Sequence, residues 1–583
     1  MTEQKRPKKS VSAAIVGSGG AGAITAGTIV LEGAGKTGWY GMMNRAVGPQ
    51  IRGGEAAALL RLANHPVDCM HADYDLLVAI DWKNVERFSA EMPLRPGGTI
   101  IADPALGEVP EIVTRSGAQV KTVPIKELAA SVKGGRENMV AAGLVAQLIG
   151  LSDAAVVEIV NERIGSKGES AVATSLACAR AGMQAAAGLG LGDALEIGEA
   201  YQKDQGRWLI TGNEAVGLGA LRGGIRFAAG YPITPATEVL EWMAAALPEV
   251  GGALVQAEDE LASVNMILGA SFGGRASLTA TSGPGLSLMI EALGLAVASE
   301  VPLLVVDVMR CGPSTGIATK SEQSDLNIAV NGFHGDAPHV VVAPISVADC
   351  LYTAQWSVYL AEAMQTPVIL LSDQALGQAR VAMKRPANLS FAGRRKTWAG
   401  TAGEGERYQR YAMTADGVSE MAVPGTTGGQ YTADGLTHSV TGAPSTSGAD
   451  QLEQMDKRRR KIEAFDYGVH WGEVFGEGET VILTWGSLTA PAREAQRRLA
   501  AEGIAVKVVA PRLISPFPHA GLGEALRGAR HLLVAEQSHG GQFLSYLRAN
   551  IALPGELRHF GRPGPQLIKA REITQQIKDW VRQ

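Results

Sequence analysis

Cysteine is scarce in this chain, which contains four in 583 residues. They are Cys69, Cys178, Cys311 and Cys350, and no two of them form a Cys-x-x-Cys pair. Iron–sulfur clusters and structural zinc sites need several closely spaced ligands, so the sequence predicts no metal site in this chain. Unpaired thiols in a long chain favour an intracellular enzyme over a secreted, disulfide-bonded protein.

Long apolar runs and an excess of one charge are also missing. The best candidate for a membrane span is interrupted by Glu291, Glu300 and Asp307. The apolar runs between these acids are well short of the ~18 residues that a span needs. The basic residues 5–9 precede a glycine-rich stretch, which is unlike the apolar core of an export signal. A net charge of −5 indicates no preference for nucleic acid or membranes. We therefore expect a soluble cytoplasmic protein with neither kind of partner.

Glycine, in contrast, is abundant at 72 residues, and it separates apolar segments that alternate between strand and helix patterns. The alternation is regular over residues 253–258 (strand), 261–272 (helix), 276–282 (strand), 286–299 (helix) and 303–309 (strand). This order predicts a parallel sheet with helices on both faces. Ligands bind such sheets beyond the carboxyl ends of the strands. Thr234, Glu260 and Arg310 follow predicted strands, so we expect them to converge on one site.

The same reasoning divides the whole chain. We expect a disordered basic arm over residues 1–10, a first α/β domain over 11–190 and a central domain over 206–389. Residues 390–474 are rich in Gly, Ser and Thr, which predicts a connecting segment that runs over the surface. Residues 475–583 restart the alternation as a last α/β domain. The basic run 457–461 favours a solvated helix face or a brace between domains, with a phosphate or ferredoxin contact as the alternative.

A glycine-rich turn, Gly17-Ser-Gly-Gly-Ala-Gly22, follows the first predicted strand and precedes a helix. This pattern lets a phosphate approach a helix N-terminus, as in dinucleotide-binding proteins. Nicotinamide dinucleotide binding also needs an acidic residue at the end of the second strand, about 20 residues further on. Residues 37–40, Thr-Gly-Trp-Tyr, supply none. The sequence therefore disfavours a nicotinamide dinucleotide site.

Five ordered pieces carry a resemblance to a known family. They are Gly212-Asn-Glu-Ala, Gly230-Tyr-Pro-Ile-Thr-Pro-Ala-Thr-Glu238, Thr281-Ser-Gly-Pro-Gly285, Arg310-Cys-Gly-Pro-Ser-Thr-Gly316 and Ser321-Glu-Gln-Ser-Asp325. Together they resemble the pyrimidine-binding domain of the alpha subunit of 2-oxoacid:ferredoxin oxidoreductases, most nearly the 2-oxoglutarate type. Residues 475–583 resemble the C-terminal domain of transketolase-like enzymes. The resemblance implies three doubly wound α/β domains, of which the central and C-terminal ones are transketolase-like.

The first domain carries a separate part of the resemblance. Gly48-Pro-Gln-Ile-Arg-Gly-Gly54 resembles a signature of the gamma subunit of the same oxidoreductases, here fused in front of the alpha part. The family uses this gamma-type domain to help hold coenzyme A. The resemblance thereby implies Gly17, Gly19, Gly22 and Arg52 as cofactor-binding residues. A surface arginine that braces a loop is the alternative for Arg52.

The resemblance implies a thiamine diphosphate site with Glu260 as its catalytic acid. In transketolase-like folds a glutamate bonds to the aminopyrimidine ring, and a glycine follows nine residues later in the next helix; Glu260 and Gly269 have that spacing. The family match also implies cofactor contacts from Tyr231 and Pro232. The alternative is that Glu260 only occupies a helix N-terminus, where acids are favoured.

Arg310 is the candidate for the substrate carboxylate. It follows an apolar strand and precedes a Gly-Pro turn, and a guanidinium held there suits planar, two-point binding of a 2-oxoacid. The resemblance assigns this role to Arg310. A pairing of Arg310 with Asp307 or Glu322 is the alternative.

Three further side chains are candidates near the substrate. The resemblance implies that Thr234 assists Arg310, although a threonine before a proline can equally cap a helix. For the distal carboxylate of 2-oxoglutarate the candidates are Lys320 and His334. His539 follows a strand of the last domain, where a structural or interface role is favoured over a substrate contact.

The diphosphate half of a thiamine site is missing from the sequence. It requires Gly-Asp-Gly followed by Asn, and the nearest approach is Gly335-Asp336-Ala337, with the next asparagine at Asn388. The resemblance therefore implies a beta subunit that brings Mg²⁺, diphosphate contacts and a [4Fe-4S] cluster, in an (alpha-beta)2 assembly.

With that partner the family converts 2-oxoglutarate and coenzyme A to succinyl-CoA and CO₂ and reduces ferredoxin, a reaction that in reverse fixes CO₂. The alternatives are an oxidoreductase for pyruvate or branched 2-oxoacids, and a non-catalytic subunit that binds coenzyme A or a dinucleotide.

Overall fold

The computed structural model describes residues 8–48, 54–200, 207–400 and 407–581. These residues form two compact units. The first unit contains the described residues up to Thr211, together with Gln378–Ala387 and Lys569–Arg571. The second contains Gly212–Gly377, the described part of Asn388–Ile568, and the residues from Glu572 onward.

The first unit is built on a mixed sheet with the strand order β6-β5-β4-β1-β3-β2-β14-β7. Its central strand β1 is buried from Val11 to Gly17, as expected for an apolar strand with neighbours on both sides. β1 runs parallel to β4 and antiparallel to β3. The strands are β1 (Ser10–Ser18), β2 (Tyr40–Val47), β3 (Glu55–Ala63), β4 (Tyr74–Ala79), β5 (Leu94–Ala102), β6 (Gln119–Thr122), β7 (Trp208–Thr211) and β14 (Arg380–Met383).

Helices pack on this sheet and form its apolar core. Residues of β1, of the helix that follows the glycine-rich turn and of two later helices belong to one buried cluster. The helices of the first unit are α1 (Ala23–Lys36), α2 (Glu111–Thr114), α3 (Ile125–Ala130), α4 (Glu137–Ile149), α5 (Asp153–Ile164) and α6 (Glu169–Ala187).

Two strands lie in a different sheet from the one that their sequence position suggested. β7 and β14 fall within residues 206–389, which we expected to form the central domain, yet both extend the first sheet. β14 pairs antiparallel with β2 on one side and with β7 on the other. Each has only four residues, and a pattern that short does not specify its neighbours.

The second unit contains a central sheet with the order β18-β12-β13-β11-β10-β8-β9. The pairs from β9 to β12 are parallel, which agrees with the predicted alternation of strand and helix. β18 belongs to the last predicted domain but pairs antiparallel with β12. The strands are β8 (Phe227–Gly230), β9 (Ala253–Gln256), β10 (Ser277–Thr281), β11 (Leu303–Met309), β12 (Val340–Val342), β13 (Pro367–Asp373) and β18 (Leu513–Ser515).

A further sheet in this unit has the order β15-β17-β16-β19-β20. One buried apolar cluster includes Val305 of the central sheet and Val481 of this sheet, so the two share a core. The predicted α/β class with three sheets is confirmed, although the first sheet is mixed rather than parallel throughout. The strands are β15 (Gly472–Phe475), β16 (Thr480–Leu483), β17 (Val506–Pro511), β19 (His531–Glu536) and β20 (Glu556–Gly561).

The helices of the second unit flank both sheets. They are α7 (Gly212–Gly223), α8 (Thr237–Ala246), α9 (Glu260–Phe272), α10 (Gly283–Ser299), α11 (Leu326–Asn331), α12 (Val347–Met364), α13 (Gln374–Gly377), α14 (Gly448–Glu463), α15 (Thr489–Ala501), α16 (His519–Leu526), α17 (Gln542–Asn550) and α18 (Ala570–Val581). Among the described residues, no helix is long and apolar enough to cross a bilayer.

The segment 390–474 does not simply run over the surface, as its composition suggested. Lys457 and Lys461 of α14 are buried and donate to the two carboxylate oxygens of Glu300, at 2.6 and 3.0 Å. Arg410 is also fully buried and donates to the backbone carbonyl of Glu300 at 2.8 Å. Ionic pairing thus fixes this segment at the end of α10, in addition to buried apolar side chains such as Tyr411 and Met421. The basic run was interpreted as a solvated helix face or as a brace. Lys457 and Lys461 act as a brace, because both are buried against Glu300.

Candidate active site

Glu260 begins α9, directly after the edge strand β9 of the central sheet. Asp259 caps this helix, because its Oδ1 accepts a hydrogen bond from the backbone N–H of Ala262 at 2.6 Å. The cap leaves Glu260 free for another role, and its side chain is buried while those of Glu258 and Asp259 are exposed. A buried acid at a sheet edge suits a hydrogen bond to a ligand more than a helix-capping role.

The turn between β10 and α10 lies against Glu260. A Cβ added to Gly285 would meet Thr281 Oγ1 at 2.0 Å and Glu260 Oε1 at 2.9 Å. Only glycine fits there, so the first turn of α10 approaches the carboxylate closely. The Ser282 hydroxyl beside this turn is buried without a hydrogen-bond partner among the described residues. These features place the Glu260 carboxylate, the Thr281 hydroxyl and the first turn of α10 in close contact.

Arg310 follows β11, the central strand next to β10. Its Nη1 donates to the backbone carbonyl oxygen of Thr234 at 2.7 Å. Its Nε is buried and has no hydrogen-bond partner within the described part of the chain. Burial lowers the pKa of Arg310, and the nearby carboxylates of Asp325, Asp307 and Glu260 oppose that effect. The guanidinium is thus held at one nitrogen, and its Nε is enclosed by the protein.

Two buried acids lie beside Arg310. Asp307 is fully buried near the end of β11, and Asp325 precedes α11. Burial, and then the neighbouring Asp325 carboxyl group, raise the pKa of Asp307 well above its usual range. Burial likewise raises the pKa of Asp325.

The side chains of Gln323 and Gln542, together with the backbone of Gln537, fix the loop before α11 to the last sheet. The backbone N–H of Gln323 donates to the backbone carbonyl of Gln537 at 2.9 Å, and the backbone N–H of Gln537 donates to Oε1 of Gln323 at 2.8 Å. Gln542 donates to the backbone carbonyl of Ser324 at 2.8 Å and accepts from the N–H of Asn327 at 2.9 Å. The loop that carries Asp325 is therefore held from both sides.

A cavity of about 550 Å³ opens between this loop and the last sheet. Arg310 and Asp325 line it, together with the first turn of α10 and His539. Glu322 also faces the cavity, and burial raises its pKa. The volume falls within the range of small-molecule sites.

Several predicted site residues lie outside this cavity. Tyr231 and Pro232 are exposed after β8, on the same sheet edge as Thr234. Lys320 is half-buried in the loop after β11, and its backbone carbonyl accepts from the N–H of Cys311 at 2.9 Å. His334 is exposed after α11.

The glycine-rich turn of the first unit is filled by the protein's own side chains. The Asp81 carboxylate, which follows β4, accepts from both the backbone N–H and the hydroxyl of Ser18 at 2.8 Å. A Cβ on Gly22 would meet the Asn138 amide nitrogen at 2.5 Å, and Gly19 donates to the Gly54 carbonyl at 2.7 Å. Gly17 is buried at the end of β1. Arg52, the remaining predicted residue, lies outside the described residues.

The topology around this turn also differs from that of a dinucleotide-binding fold. β2 is not a neighbour of β1, and it pairs antiparallel with β3. The parallel neighbour of β1 is β4, whose following residue Asp81 binds the turn itself.

No metal site is apparent in the described residues, since no three or more His, Cys, Asp or Glu side chains cluster suitably. All four cysteines are buried and none of them forms a disulfide bond. Burial raises the pKa of Cys311 to about 12, so this thiol beside the cavity is not a nucleophile.

Sequence reasoning missed the part that Asp325 and Gln542 take in forming the cavity. Asp325 belongs to the motif at residues 321–325, for which the sequence predicted no individual role. Asp307 was predicted only as an alternative partner of Arg310. An ionisable residue inside an otherwise apolar strand is the signal that points to Asp307.

The fold and this site define a subunit of a thiamine diphosphate-binding oxidoreductase. Three family models match the chain. Residues 218–456 match the pyruvate flavodoxin/ferredoxin oxidoreductase, thiamine diphosphate-binding model. Residues 12–185 match the pyruvate ferredoxin/flavodoxin oxidoreductase model. Residues 478–573 match core domain II of pyruvate:ferredoxin oxidoreductase.

Individual relatives agree with these models. The 2-oxoglutarate synthase subunit KorA of Methanothermobacter marburgensis is 34% identical over 376 residues, which is 64% of this chain and 98% of that protein. The 2-oxoglutarate oxidoreductase subunit KorA of Mycobacterium tuberculosis is 34% identical over 76% of this chain and 69% of its own length.

A solved structure covers nearly the whole chain. It is a 2-oxoglutarate:ferredoxin oxidoreductase from Magnetococcus marinus with 2-oxoglutarate, coenzyme A and succinyl-CoA bound. The two chains are 36% identical, the match spans 98% of this chain and 99% of the other, and the TM-score is 0.90. The chain belongs to the 2-oxoacid:ferredoxin oxidoreductase family, as an alpha-type subunit with the gamma-like region in front.

Proposed function

We propose that this chain is the fused gamma–alpha subunit of a 2-oxoglutarate:ferredoxin oxidoreductase. With a beta subunit it converts 2-oxoglutarate and coenzyme A to succinyl-CoA and CO₂, and two ferredoxins each take up one electron. The reverse reaction consumes CO₂. The observation that carries the proposal is the grouping of buried Glu260 and the Arg310–Thr234 contact at one end of the central sheet.

Glu260 is the catalytic acid in this proposal. Bound thiamine diphosphate would supply the carbanion that attacks the 2-oxo group. The buried carboxyl group of Glu260 holds the proton at the aminopyrimidine nitrogen, where exclusion of water strengthens the hydrogen bond. Gly285 permits the close approach of α10 to this carboxyl group. Tyr231 and Pro232 would flank the ring from the end of β8.

Arg310 binds the carboxylate next to the 2-oxo group. Its Nη1 is fixed to the Thr234 carbonyl, which orients the guanidinium plane, and Arg310 lines the cavity. Two-point binding from a fixed plane sets the direction from which the 2-oxo carbon is attacked. Lys320 is proposed for the distal carboxylate.

A partner subunit completes the site. Apolar side chains stay exposed on the elements around Glu260 and at the cavity; they are Tyr231, Val255, Leu261, Met266, Leu288 and Ile317. Exposed apolar surface beside a half-built site is typical of a subunit interface. We propose that a beta subunit covers this surface and brings Mg²⁺, the diphosphate contacts and a [4Fe-4S] cluster, in an (alpha-beta)2 assembly.

The first unit is proposed to contribute to coenzyme A binding through its glycine-rich turn. Gly17, Gly19 and Gly22 would let the ligand approach the backbone of the turn, in which the N–H of Gly19 already donates to the Gly54 carbonyl, and Arg52 would supply a positive charge. We also propose that ferredoxin is the electron acceptor and that the protein is cytoplasmic.

The test is a viologen-reduction assay on the complex co-purified with this chain. We expect coenzyme A-dependent reduction with 2-oxoglutarate and much slower reduction with pyruvate or a branched 2-oxoacid. Faster reduction with pyruvate would assign the chain to the other substrate class. No reduction with any 2-oxoacid would support a non-catalytic binding subunit.

A further inference from the structure

Asp307 is a buried acid whose negative charge would have no hydrogen-bond donor among the described residues. The side chain is fully buried, and neither carboxyl oxygen has a hydrogen-bond donor among the described residues. Asp325 lies within hydrogen-bonding reach, and its Oδ2 is also buried without a donor. Its Oδ1 lies 2.8 Å from the Ser324 hydroxyl, which also lies 2.8 Å from the backbone carbonyl oxygen of Arg310. Two ionised carboxylates in this arrangement would be unpaired and would repel each other.

A single proton resolves the conflict. Burying an ionised carboxylate without partners is costly, and like charges in contact add to that cost. If Asp307 keeps its proton, its O–H donates to Asp325, which remains ionised. One hydrogen bond then joins the two carboxyl groups, their repulsion is removed, and a single oxygen of Asp307 stays without a donor among the described residues.

The proton also determines the charge around Arg310. Asp307 and Asp325 both lie close enough to act on this guanidinium, as does Glu260. With one proton the pair contributes one negative charge, and with none it contributes two. A second negative charge would compete with an incoming carboxylate for Arg310 and would repel it across the cavity that Arg310 and Asp325 line.

We propose that Asp307 and Asp325 form a carboxyl pair that holds one proton, and that this proton keeps Arg310 available to the carboxylate of the ligand. Asp307 and Asp325 are positioning residues, since they act through Arg310. The part of the inference that concerns the ligand rests on the proposed role of Arg310, whereas the shared proton does not.

Other charged groups face the pair from the surrounding elements. Glu260 of α9 interacts electrostatically with Arg310. Glu322 interacts electrostatically with His539 and with Asp325. The first turn of α10 approaches Asp325 with Gly283 and carries no acidic residue. In β13, Asp373 lies opposite Met309, and its own bonds include the N–H of Leu376. Arg310 is the cation that acts on both acids of the pair.

The direct test is infrared spectroscopy of the purified chain, with no substrate or partner. Asp307→Asn places an amide donor where the proposed O–H lies, and the exposed Asp336→Asn is the matched control. At neutral pH we expect the wild-type spectrum to contain a protonated carboxylic C=O band that Asp307→Asn removes and Asp336→Asn keeps. Persistence of the full band in Asp307→Asn would overturn the inference.

Stability against pH gives a second readout. A carboxyl group with a raised pKa in the folded chain binds its proton more tightly than in the unfolded chain. The free energy of unfolding therefore falls as the pH rises from the ordinary aspartate pKa towards the raised one. We expect the melting temperature of Asp307→Asn to fall less than that of wild type over this rise. An equal or steeper fall in the variant would contradict the shared proton.

Kinetics of the complete complex test the link to Arg310. As the pH is raised and the pair loses its proton, we expect the wild-type KM for the 2-oxoacid to increase, on the order of tenfold for the added charge. The KM of Asp307→Asn should lack this increase, while kcat of the two proteins shows the same pH profile. Loss of the infrared band with an unchanged alkaline rise in KM would overturn the link to Arg310. A complex inactive with every 2-oxoacid would contradict the proposed function, and the infrared result would still decide the pair.

Discussion

Arg310 donates from Nη1 to the backbone carbonyl oxygen of Thr234, at 2.7 Å. The threonine hydroxyl takes no part in this bond, and the Thr234 side chain is exposed. Thr234 therefore has two separable roles: its backbone orients Arg310, and its hydroxyl is available to a substrate. The two residues lie at the same end of the central sheet, after β8 and after β11, and β10 separates these two strands.

This division predicts unequal effects of substitution. Arg310→Ala should raise KM for the 2-oxoacid strongly and also lower kcat, because the carboxylate anchor sets the angle of attack. Thr234→Ala keeps the carbonyl and should cause a much smaller rise in KM. Steady-state kinetics of the complex measure both values. If Arg310→Ala changed thiamine diphosphate binding but not substrate saturation, the arginine would belong to the cofactor instead.

Glu260→Gln should fold normally and lose most of its turnover. Removal of one positioned acid costs on the order of 10²–10⁴ in rate. The matched control is Glu258→Gln, which changes an exposed carboxylate two positions earlier and should leave kcat as in wild type. Circular dichroism checks the fold and viologen reduction the rate. Near-wild-type turnover of Glu260→Gln would remove this residue from the mechanism.

The buried ionic group around Glu300 should dominate the stability of segment 390–474. Burial pushes the pKa of Glu300 upward, but Lys461, Lys457 and Arg410 together bring it below its usual range. Glu300→Gln leaves these cations buried without a counterion, which should cost about 3–5 kcal/mol of unfolding free energy. The control is Glu158→Gln, which weakens the exposed pair with Lys36 and should cost at most ~1 kcal/mol. Urea unfolding measures both.

The pH dependence of the same group has a defined sign. A carboxylate with a depressed pKa stabilises the fold above its ordinary pKa and loses that contribution as the pH falls through the depressed value. Wild type should therefore lose more stability on acidification than Glu300→Gln does. Burial lowers the pKa of Lys461 to about 8, so between pH 8 and its usual 10.5 the stability should rise with pH. A flat wild-type curve over both ranges would show that the group is not ionised as described.

The glycine-rich turn should not bind a nicotinamide dinucleotide. Asp81 already accepts from the Ser18 N–H, and the sheet around the turn lacks the dinucleotide-binding order, because β2 is not a neighbour of β1. The measurement is isothermal titration calorimetry of the full chain, in which residues 11–190 form the first domain. We expect no heat with NAD and weak binding of coenzyme A. Micromolar NAD binding would reverse this interpretation of residues 17–22.

Much of the central domain could be predicted from sequence because its strands and helices alternate regularly. Glu260 and Arg310 were identifiable since each follows an apolar strand, where parallel sheets place their ligands. The Asp307–Asp325 pair could not be predicted, because only the fold brings the end of β11 against the start of α11. β7 and β14 were assigned to the central domain because four-residue strands carry no information about their partners. Segment 390–474 has few apolar residues, and its buried charges became interpretable only when their ionic partners were visible.

The most direct test of the account is whether this chain has activity alone. The chain should be purified by itself, supplied with Mg²⁺, thiamine diphosphate, iron and sulfide, and assayed for decarboxylation of 2-oxoglutarate, then assayed again with its beta subunit. We predict no turnover alone, because nothing in the sequence supplies the Gly-Asp-Gly…Asn segment or closely spaced cysteines. Turnover should appear with the partner and be lost when Glu260→Gln replaces the wild-type chain. Decarboxylation by the chain alone, or undiminished activity of the Glu260→Gln complex, would contradict the proposal that this chain provides half of a shared thiamine site.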